Sequence, residues 1–189
     1  KRALLLPIAA GEIRAALAFT EENGRWEPGA METEATAVGD TFELNGVKSF
    51  VLDGHTAQQI LVMARDPGTS GNDGLSLFLT SSDTAGLQRR LLKSMDGTRK
   101  LARLEFKGVK ATLLGEQGTA ATTFVKTFNL AVACLANEMV GGAEALREQA
   151  LDYAQMRMQF GRAISSFQTM KHKQADMLID VELAKSAAY

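Results

Sequence analysis

The sequence predicts an α+β protein. A small antiparallel β-barrel or sandwich comes first, followed by the long antiparallel helices of a helical bundle. Three observations predict it. Short apolar runs rich in strand formers are separated by turn residues up to about residue 107. The composition then changes near Gly115–Gly118, and no proline occurs from Thr119 to Phe160. Beyond that point apolar residues recur every three or four positions, the period of a helix.

Residues 15–21, AALAFTE, read as a short strand. Residues 33–52 hold apolar stretches punctuated at Gly39 and Asp40, then at Asn45-Gly46. The second pair predicts a hairpin turn, because both of its residues accept positive φ. Residues 59–65, QILVMAR, and 74–80, GLSLFLT, are two further strands, joined by a loop at 66–73, DPGTSGND. Residues 100–107, KLARLEFK, alternate around Leu101, Leu104 and Phe106. The helix expected over 119–160 is about 40 residues and about 60 Å long. Its apolar stripe is Phe124, Phe128, Ala131, Leu135, Met139, Gly142, Leu146, Ala150 and Tyr153. A helix of that length requires partners along its whole extent. Gly141-Gly142 within it costs up to ~1 kcal/mol per residue against alanine, and close packing is the expected reason. A second helix follows Gly161, with Ser165 and Gln168 at capping-box spacing. Its apolar face is Phe167, Met170, Met177, Val181, Ala184 and Ala188.

Composition narrows the function. Lys plus Arg is 21 and Asp plus Glu is 22, and no basic run occurs, so neither nucleic acid nor an anionic membrane is an expected partner. No apolar run approaches the ~20 residues of a membrane span. The single cysteine, Cys134, excludes an internal disulfide and suits a reducing compartment, so a cytoplasmic location is expected. It lies in a helical apolar stretch and reads as a small core residue. No metal site is expected. The chain starts at Lys1 and stops at Tyr189 within a helical pattern, which suggests part of a longer protein.

The stretch from Arg157 to Gln168 is the most suggestive. Arg157 offers a fork of donors suited to phosphate. Gly161 lets the chain turn, and the next helix begins with free N–H groups and a partial positive charge. Phe160 is placed to cover an aromatic ring, and Gln168 both donates and accepts. An aromatic, phosphate-bearing ligand such as a dinucleotide suits this set. The same residues have plainer readings. An arginine in a last helical turn offsets the macrodipole, Gln168 completes a capping box, and Phe160 plugs the space between helices.

The ordered run QFGRAISSFQTMKHKQADM resembles the C-terminal-domain signature of acyl-CoA dehydrogenases, Arg-x-x-Phe-Gly-Arg followed by Phe-Gln-x-x-Lys-His-x-x-Ala-Asp. KSFVLDG, GLSLFLT and LARLEFKGV resemble the family's middle β-domain, and residues 133–162 resemble its first C-terminal helix. The resemblance divides the chain into 1–16, the end of an N-terminal helical domain; 17–116, the β-domain; and 117–189, the start of the helical bundle. It implies an FAD enzyme that oxidises the Cα–Cβ bond of an acyl-CoA to a trans-enoyl-CoA. Such an enzyme would pass electrons to an electron-transferring flavoprotein or similar acceptor. It would assemble as a homodimer or tetramer, with a heteromer as the alternative. Arg157 would contact the pyrophosphate of a neighbouring subunit's FAD. Gln159 and Phe160 would flank that cofactor, and Gln168 would bond near its adenosine end. Phe19, Thr20, Phe50 and Leu52 would lie by the flavin, and Phe128 and Asn129 would line the acyl-CoA site.

Several positions depart from the family pattern. Leu52 stands where Ser or Thr commonly faces flavin N5, and leucine offers no hydrogen bond there. Glu22-Asn23-Gly24-Arg25-Trp26 replaces a proline- and glycine-rich run. Val132 stands near a common arginine, and Ala131 near the place where a minority of members carry the base. In most members that base is a glutamate late in the C-terminal domain, beyond Tyr189. Glu138 reads as a solvated or paired carboxylate and His172 as structural or interfacial, so no catalytic residue is assigned. These departures also suit a non-catalytic subunit that completes a neighbour's FAD site. Oxidase chemistry on the same scaffold would not be visible in the sequence.

Overall fold

The computed structural model describes residues 2–189. The chain divides into two units, one ending at Val125 and one spanning Lys126–Tyr189.

The first unit opens with a short helix α1 (Arg2–Ala9), closed by Gly11 at φ 74°. Seven strands follow: β1 (Ala15–Ala18), β2 (Glu34–Val38), β3 (Thr41–Leu52), β4 (Gln59–Arg65), β5 (Leu75–Ser81), β6 (Leu87–Leu91) and β7 (Leu101–Leu113). Strand pairing runs β4–β2–β3–β7–β5 and returns from β5 to β4, which closes a barrel. β1 lies outside this ring and pairs parallel with β4, from Ala15↔Gln59 to Ala18↔Val62. β2 also meets β4 in parallel, at Glu34↔Arg65, whereas the remaining ladders are antiparallel. The barrel interior holds Leu44, Ile60, Val62, Phe78, Leu104, Phe106 and Val109, all at most 2% exposed. Phe42 packs on Phe78 with ring centroids 4.9 Å apart.

Two irregularities shape the long β3–β7 ladder. The pairing slips between Leu44↔Val109 and Asn45↔Lys107, which leaves Gly108 as an extra residue at φ 59°. The Asn45 Oδ1 accepts the Gly108 N–H at 2.9 Å. The inward set on β7 therefore changes from Ala102, Leu104 and Phe106 to Val109 and Ala111, as a one-residue bulge requires. Asn45-Gly46 is thus not a hairpin turn: both residues lie inside β3, beside this bulge. The β2–β3 hairpin turns at Gly39-Asp40 instead. Gly46 is glycine for another reason, since a Cβ there would fall 2.8 Å from the Thr33 Cα. The second slip lies between Lys48 and Val51.

The strand expected over 15–21 ends at Ala18, and β7 runs six residues past Lys107. β6, LQRRL, carries three polar residues in five and has no apolar run to mark it. Arg65 is buried at the end of β4. Its Nε donates to the Met31 carbonyl at 2.6 Å and its Nη2 to the Gly71 carbonyl at 3.0 Å, so one side chain holds two loops.

The long helix α2 is Ala120–Met156, 37 residues. In the second unit it is followed by a two-stranded ribbon, β8 (Met158–Gln159) and β9 (Arg162–Ala163), and then by α3 (Gln168–Ala188). α3 runs antiparallel to α2. The Asn137 Nδ2 donates to the Ala188 carbonyl at 3.2 Å, and Lys185 pairs with Glu144. α3 buries the expected face, with Val181 at 6% exposure and Met170, Met177 and Ala184 half-buried. α2 uses the stripe read from the sequence only at its start, where Phe124 is 8% exposed and Phe128 half-buried. It turns Asn137, Val140, Glu144, Leu151 and Ala154 toward α3, with Ala154 at 1% exposure. Leu135, Met139, Leu146 and Tyr153 of the expected stripe remain exposed. Cys134 is likewise exposed rather than a core residue. A Cβ on Gly141 or Gly142 would meet nothing within 4 Å, so packing inside this unit does not call for either glycine. No helix is long and apolar enough to cross a membrane among the described residues.

Gly46→Ala should lower stability by ~1–3 kcal/mol, because the added methyl must displace the Thr33 backbone. Urea unfolding of the barrel checks this, with Gly39→Ala, in open space at φ 58°, as a turn-strain comparison.

Candidate functional site

Two groups of the expected residues are built by local chain geometry, one in each unit. In the first, β1 ends at Ala18 and the chain enters a long connection to β2. Phe19 is half-buried, with its ring against Phe124 at 5.1 Å and Trp26 edge-on at 6.4 Å. Thr20 is 6% exposed, and its carbonyl accepts the Ser49 N–H at 2.9 Å. That bond brings Phe19-Thr20 to the end of β3, where Ser49-Phe50 form the second bulge. Phe50 takes φ 59°, rare for a bulky side chain, and Asp53 takes φ 52°. Strain of this kind concentrates where a side chain must be aimed. Phe50 and Leu52 are both about half exposed, two positions apart on one side of the strand, while Val51 points into the core. Leu52 offers this surface no hydrogen-bonding group.

Beneath these residues is a pair that the sequence did not reveal. Lys48 is fully buried, and its Nζ donates to Glu21 Oε1 at 2.8 Å and to the Phe19 carbonyl at 3.2 Å. Glu21 also accepts the Glu32 N–H at 2.7 Å, the Thr33 N–H at 2.9 Å and the Thr33 hydroxyl at 2.7 Å. Burial drives the Lys48 ammonium down to about 8, against the pull of Glu21. Burial works against ionisation of Glu21 too. The Lys48 charge and the Lys48 and Thr33 hydrogen bonds outweigh it and hold the carboxyl below its usual range. The available signal was a lysine inside the otherwise apolar run GVKSFVL, but in a strand lysine normally reads as solvent-facing.

The second group sits where α2 ends. Phe160 at φ 52° and Gly161 at φ 76° are the central pair of a two-residue turn joining β8 to β9, and successive positive φ values mark type I′. The chain therefore makes a small ribbon here rather than restarting the helix at once. The turn leaves Phe160 91% exposed, so it is no plug between helices. Its ring stands edge-on to Phe167 at 6.2 Å, and the Arg162 guanidinium lies 4.0 Å above the Phe167 ring. The Ile164 N–H donates to the Arg157 carbonyl at 2.9 Å, which anchors the ribbon to the helix end. Arg157 and Gln159 are exposed, and the Arg157 guanidinium has no ion pair among the described residues. Gln168 is the first residue of α3, not a capping-box partner. Its amide meets His172 Nε2 at 3.2 Å, and Phe167 stands at the N-cap without a side-chain bond.

The helix-end group combines a free guanidinium, two amides and an outward aromatic ring, and the barrel group presents an aromatic and an aliphatic face. Phe128 is half-buried and Asn129 exposed on α2, with Val132 and Ala131 also exposed. A separate groove of about 540 Å³ in the second unit is lined by Tyr153, Ile164, Met170, Gln174 and Met177, and none of the expected cofactor residues lines it.

Residues 16–109 match the family model described as acyl-CoA dehydrogenase, middle domain, and residues 116–189 the model of the acyl-CoA dehydrogenase C-terminal domain. A short-chain specific acyl-CoA dehydrogenase of Megasphaera elsdenii is 30% identical over the whole chain, which covers 51% of that relative. The solved butyryl-CoA dehydrogenase of the same organism superposes with TM-score 0.87 at 30% identity, over 99% of this chain and 50% of the other. A chain from the structure of the electron transferring flavoprotein of Acidaminococcus fermentans superposes with TM-score 0.92 at 30% identity, over 100% of this chain and 51% of that one. The chain thus spans about half the length of the relatives it matches.

The pH dependence of stability should report Glu21. Its folded carboxyl titrates below the ordinary 4.5, so the unfolded chain binds the proton first on acidification. The stability this group contributes is complete above pH 4.5 and is lost as pH falls through the lower folded value. Urea unfolding between pH 3 and 7 should show this loss. Glu21→Gln should flatten that limb and cost ~3–5 kcal/mol at neutral pH, because Lys48 loses its counter-ion.

Proposed function

Because this chain belongs to the acyl-CoA dehydrogenase family, we propose that it carries much of the FAD site of an enzyme that dehydrogenates the Cα–Cβ bond of an acyl-CoA thioester. The observation that carries the reading is the I′ turn at Phe160-Gly161. It holds an aromatic ring outward between an uncommitted Arg157 and the start of α3, on the family's own motif. FAD, when bound, supplies the hydride acceptor for the β-hydrogen. Arg157 binds the pyrophosphate, Gln159 and Phe160 flank the cofactor, and Gln168 bonds near the adenosine end, all toward the FAD of a neighbouring subunit. On the barrel, Phe19, Thr20 and Phe50 border the flavin, and Leu52 shields it with an apolar side chain. Phe128 and Asn129 border the acyl-CoA. The α-proton falls to a carboxylate outside these residues, and a flavoprotein of the electron-transferring type accepts the electrons.

A second reading is favoured by Leu52. Its exposed aliphatic side chain leaves the flavin edge without the usual hydroxyl, as in a subunit that completes a partner's FAD site and performs no chemistry. The absorption spectrum of the full-length protein, before and after anaerobic addition of a panel of acyl-CoAs, separates the two. Flavin bleached by one of the thioesters supports the dehydrogenase. Protein that binds flavin only together with a partner chain supports the second reading.

Arg157→Ala in the full-length protein should weaken FAD binding by ~1.5–3 kcal/mol, about 10- to 150-fold, with little change in thermal stability. Equilibrium titration with FAD checks this, and unchanged affinity removes the pyrophosphate role.

A further inference from the structure

We propose that the buried Glu21–Lys48 pair is a positioning element of the cofactor site: it pins the Phe19-Thr20 backbone to the bulged end of β3 and thereby sets where Phe19, Thr20 and Phe50 stand. The inference rests on the FAD reading above. Its starting point is that ladder bonding stops where β1 ends at Ala18. From Phe19 the chain is tied to β3 through two consecutive residues of that strand. Lys48 Nζ donates to the Phe19 carbonyl and to Glu21, and the Ser49 N–H donates to the Thr20 carbonyl at 2.9 Å. The next residue is Phe50 at φ 59°. One short segment of β3 thus holds the Phe19-Thr20 backbone and the Glu21 carboxylate and aims an exposed aromatic ring.

Stability alone does not call for a lysine here. An apolar side chain of the same length would fill the site, and replacing a buried ion pair by well-packed apolar residues of similar volume is often neutral for stability. What methionine cannot do is donate to the Phe19 carbonyl. Glu21 completes the device from the other side. Its bonds to the Glu32 and Thr33 N–H groups tie the start of the β1–β2 connection to its end, so the connection closes around the ammonium. Lys48 and Glu21 act through the backbone of Phe19 and Thr20.

The test uses the full-length holoprotein with Lys48→Met, Glu21→Gln and the double variant. Phe78→Leu, a core change elsewhere in the barrel, serves as a control for general destabilisation. The readouts are thermal stability, the FAD dissociation constant, the visible flavin spectrum, and amide exchange at Ser49 in the apoprotein. Positioning predicts a double variant with stability close to wild type but FAD bound at least tenfold more weakly. Its flavin band should shift and its Ser49 exchange should be faster, whereas Phe78→Leu should lose stability and keep the wild-type flavin spectrum. A double variant with FAD affinity and spectrum matching wild type overturns the inference and leaves the pair a fold element. Should the double variant not fold, Thr33→Val removes one hydroxyl bond from Glu21 and keeps both charges. About threefold weaker FAD binding is then expected, and unchanged binding overturns the proposal. A wild-type protein that binds no FAD overturns the functional reading itself, an outcome distinct from failure of the pair alone.

Discussion

A lysine ammonium with no solvent exposure must be matched by charge and by acceptors, and in this barrel that requirement organises the surface around it. An unmatched buried charge costs several kcal/mol, so the connection between β1 and β2 has to bring Glu21 back to Lys48. Glu21 reaches it only if Glu32 and Thr33 also approach, because they satisfy its remaining lone pairs. Those contacts fix both ends of a connection that has little other regular structure. They also account for Gly46, whose missing Cβ leaves room for Thr33. One electrostatic constraint thereby links β1, β2 and β3 at the place where the strained Phe50 projects.

Backbone irregularity is distributed to the same purpose. The Gly108 bulge uses a glycine and an asparagine side chain to satisfy the freed N–H, and it lets β7 turn its inward set without opening the barrel. The slip at Ser49-Phe50 has no glycine, and the strain falls on an aromatic residue. At the far end of the chain Phe160 repeats this choice, holding positive φ beside Gly161 with its ring in solvent. Glycine in either aromatic position would relieve the backbone.

How legible the molecule was in its sequence follows from how local each feature is. QILVMAR is a strand and DPGTSGND a loop because neighbouring residues dictate both. The long helix is equally local, since no proline interrupts it and its period is 3.6. The β6 strand was hidden because LQRRL gains its conformation from pairing with β7. Asn45-Gly46 misled because glycine at a bulge and glycine at a hairpin look alike without the opposing strand. The parallel β1–β4 pairing is a tertiary choice with no trace in either segment. Within the candidate site, Arg157 through Gln168 stood out because the motif is contiguous. Glu21 and Lys48 did not, because 27 positions separate them and neither looks unusual alone.

The apolar stripe on α2 shows how a periodicity argument can pick out apolar residues without saying what covers them. Asn137, Val140, Glu144, Leu151 and Ala154, at steps of three, four, seven and three, form the more buried face, from which Asn137 and Glu144 bond to α3. Leu135, Met139, Leu146 and Tyr153 follow one another at four, seven and seven on the adjoining surface and stay exposed, with Tyr153 bordering the groove beside α3. The sequence period was visible, but it was satisfied by two faces, and the more apolar one is not the one that α3 covers. A helix at the edge of a two-helix hairpin needs a single apolar face. A helix with two carries apolar surface that α3 alone does not cover, and here that surface runs from Leu135 to Tyr153. The exposed Gly141-Gly142 fits the same logic, since small residues cost helix stability and are kept where another backbone comes close.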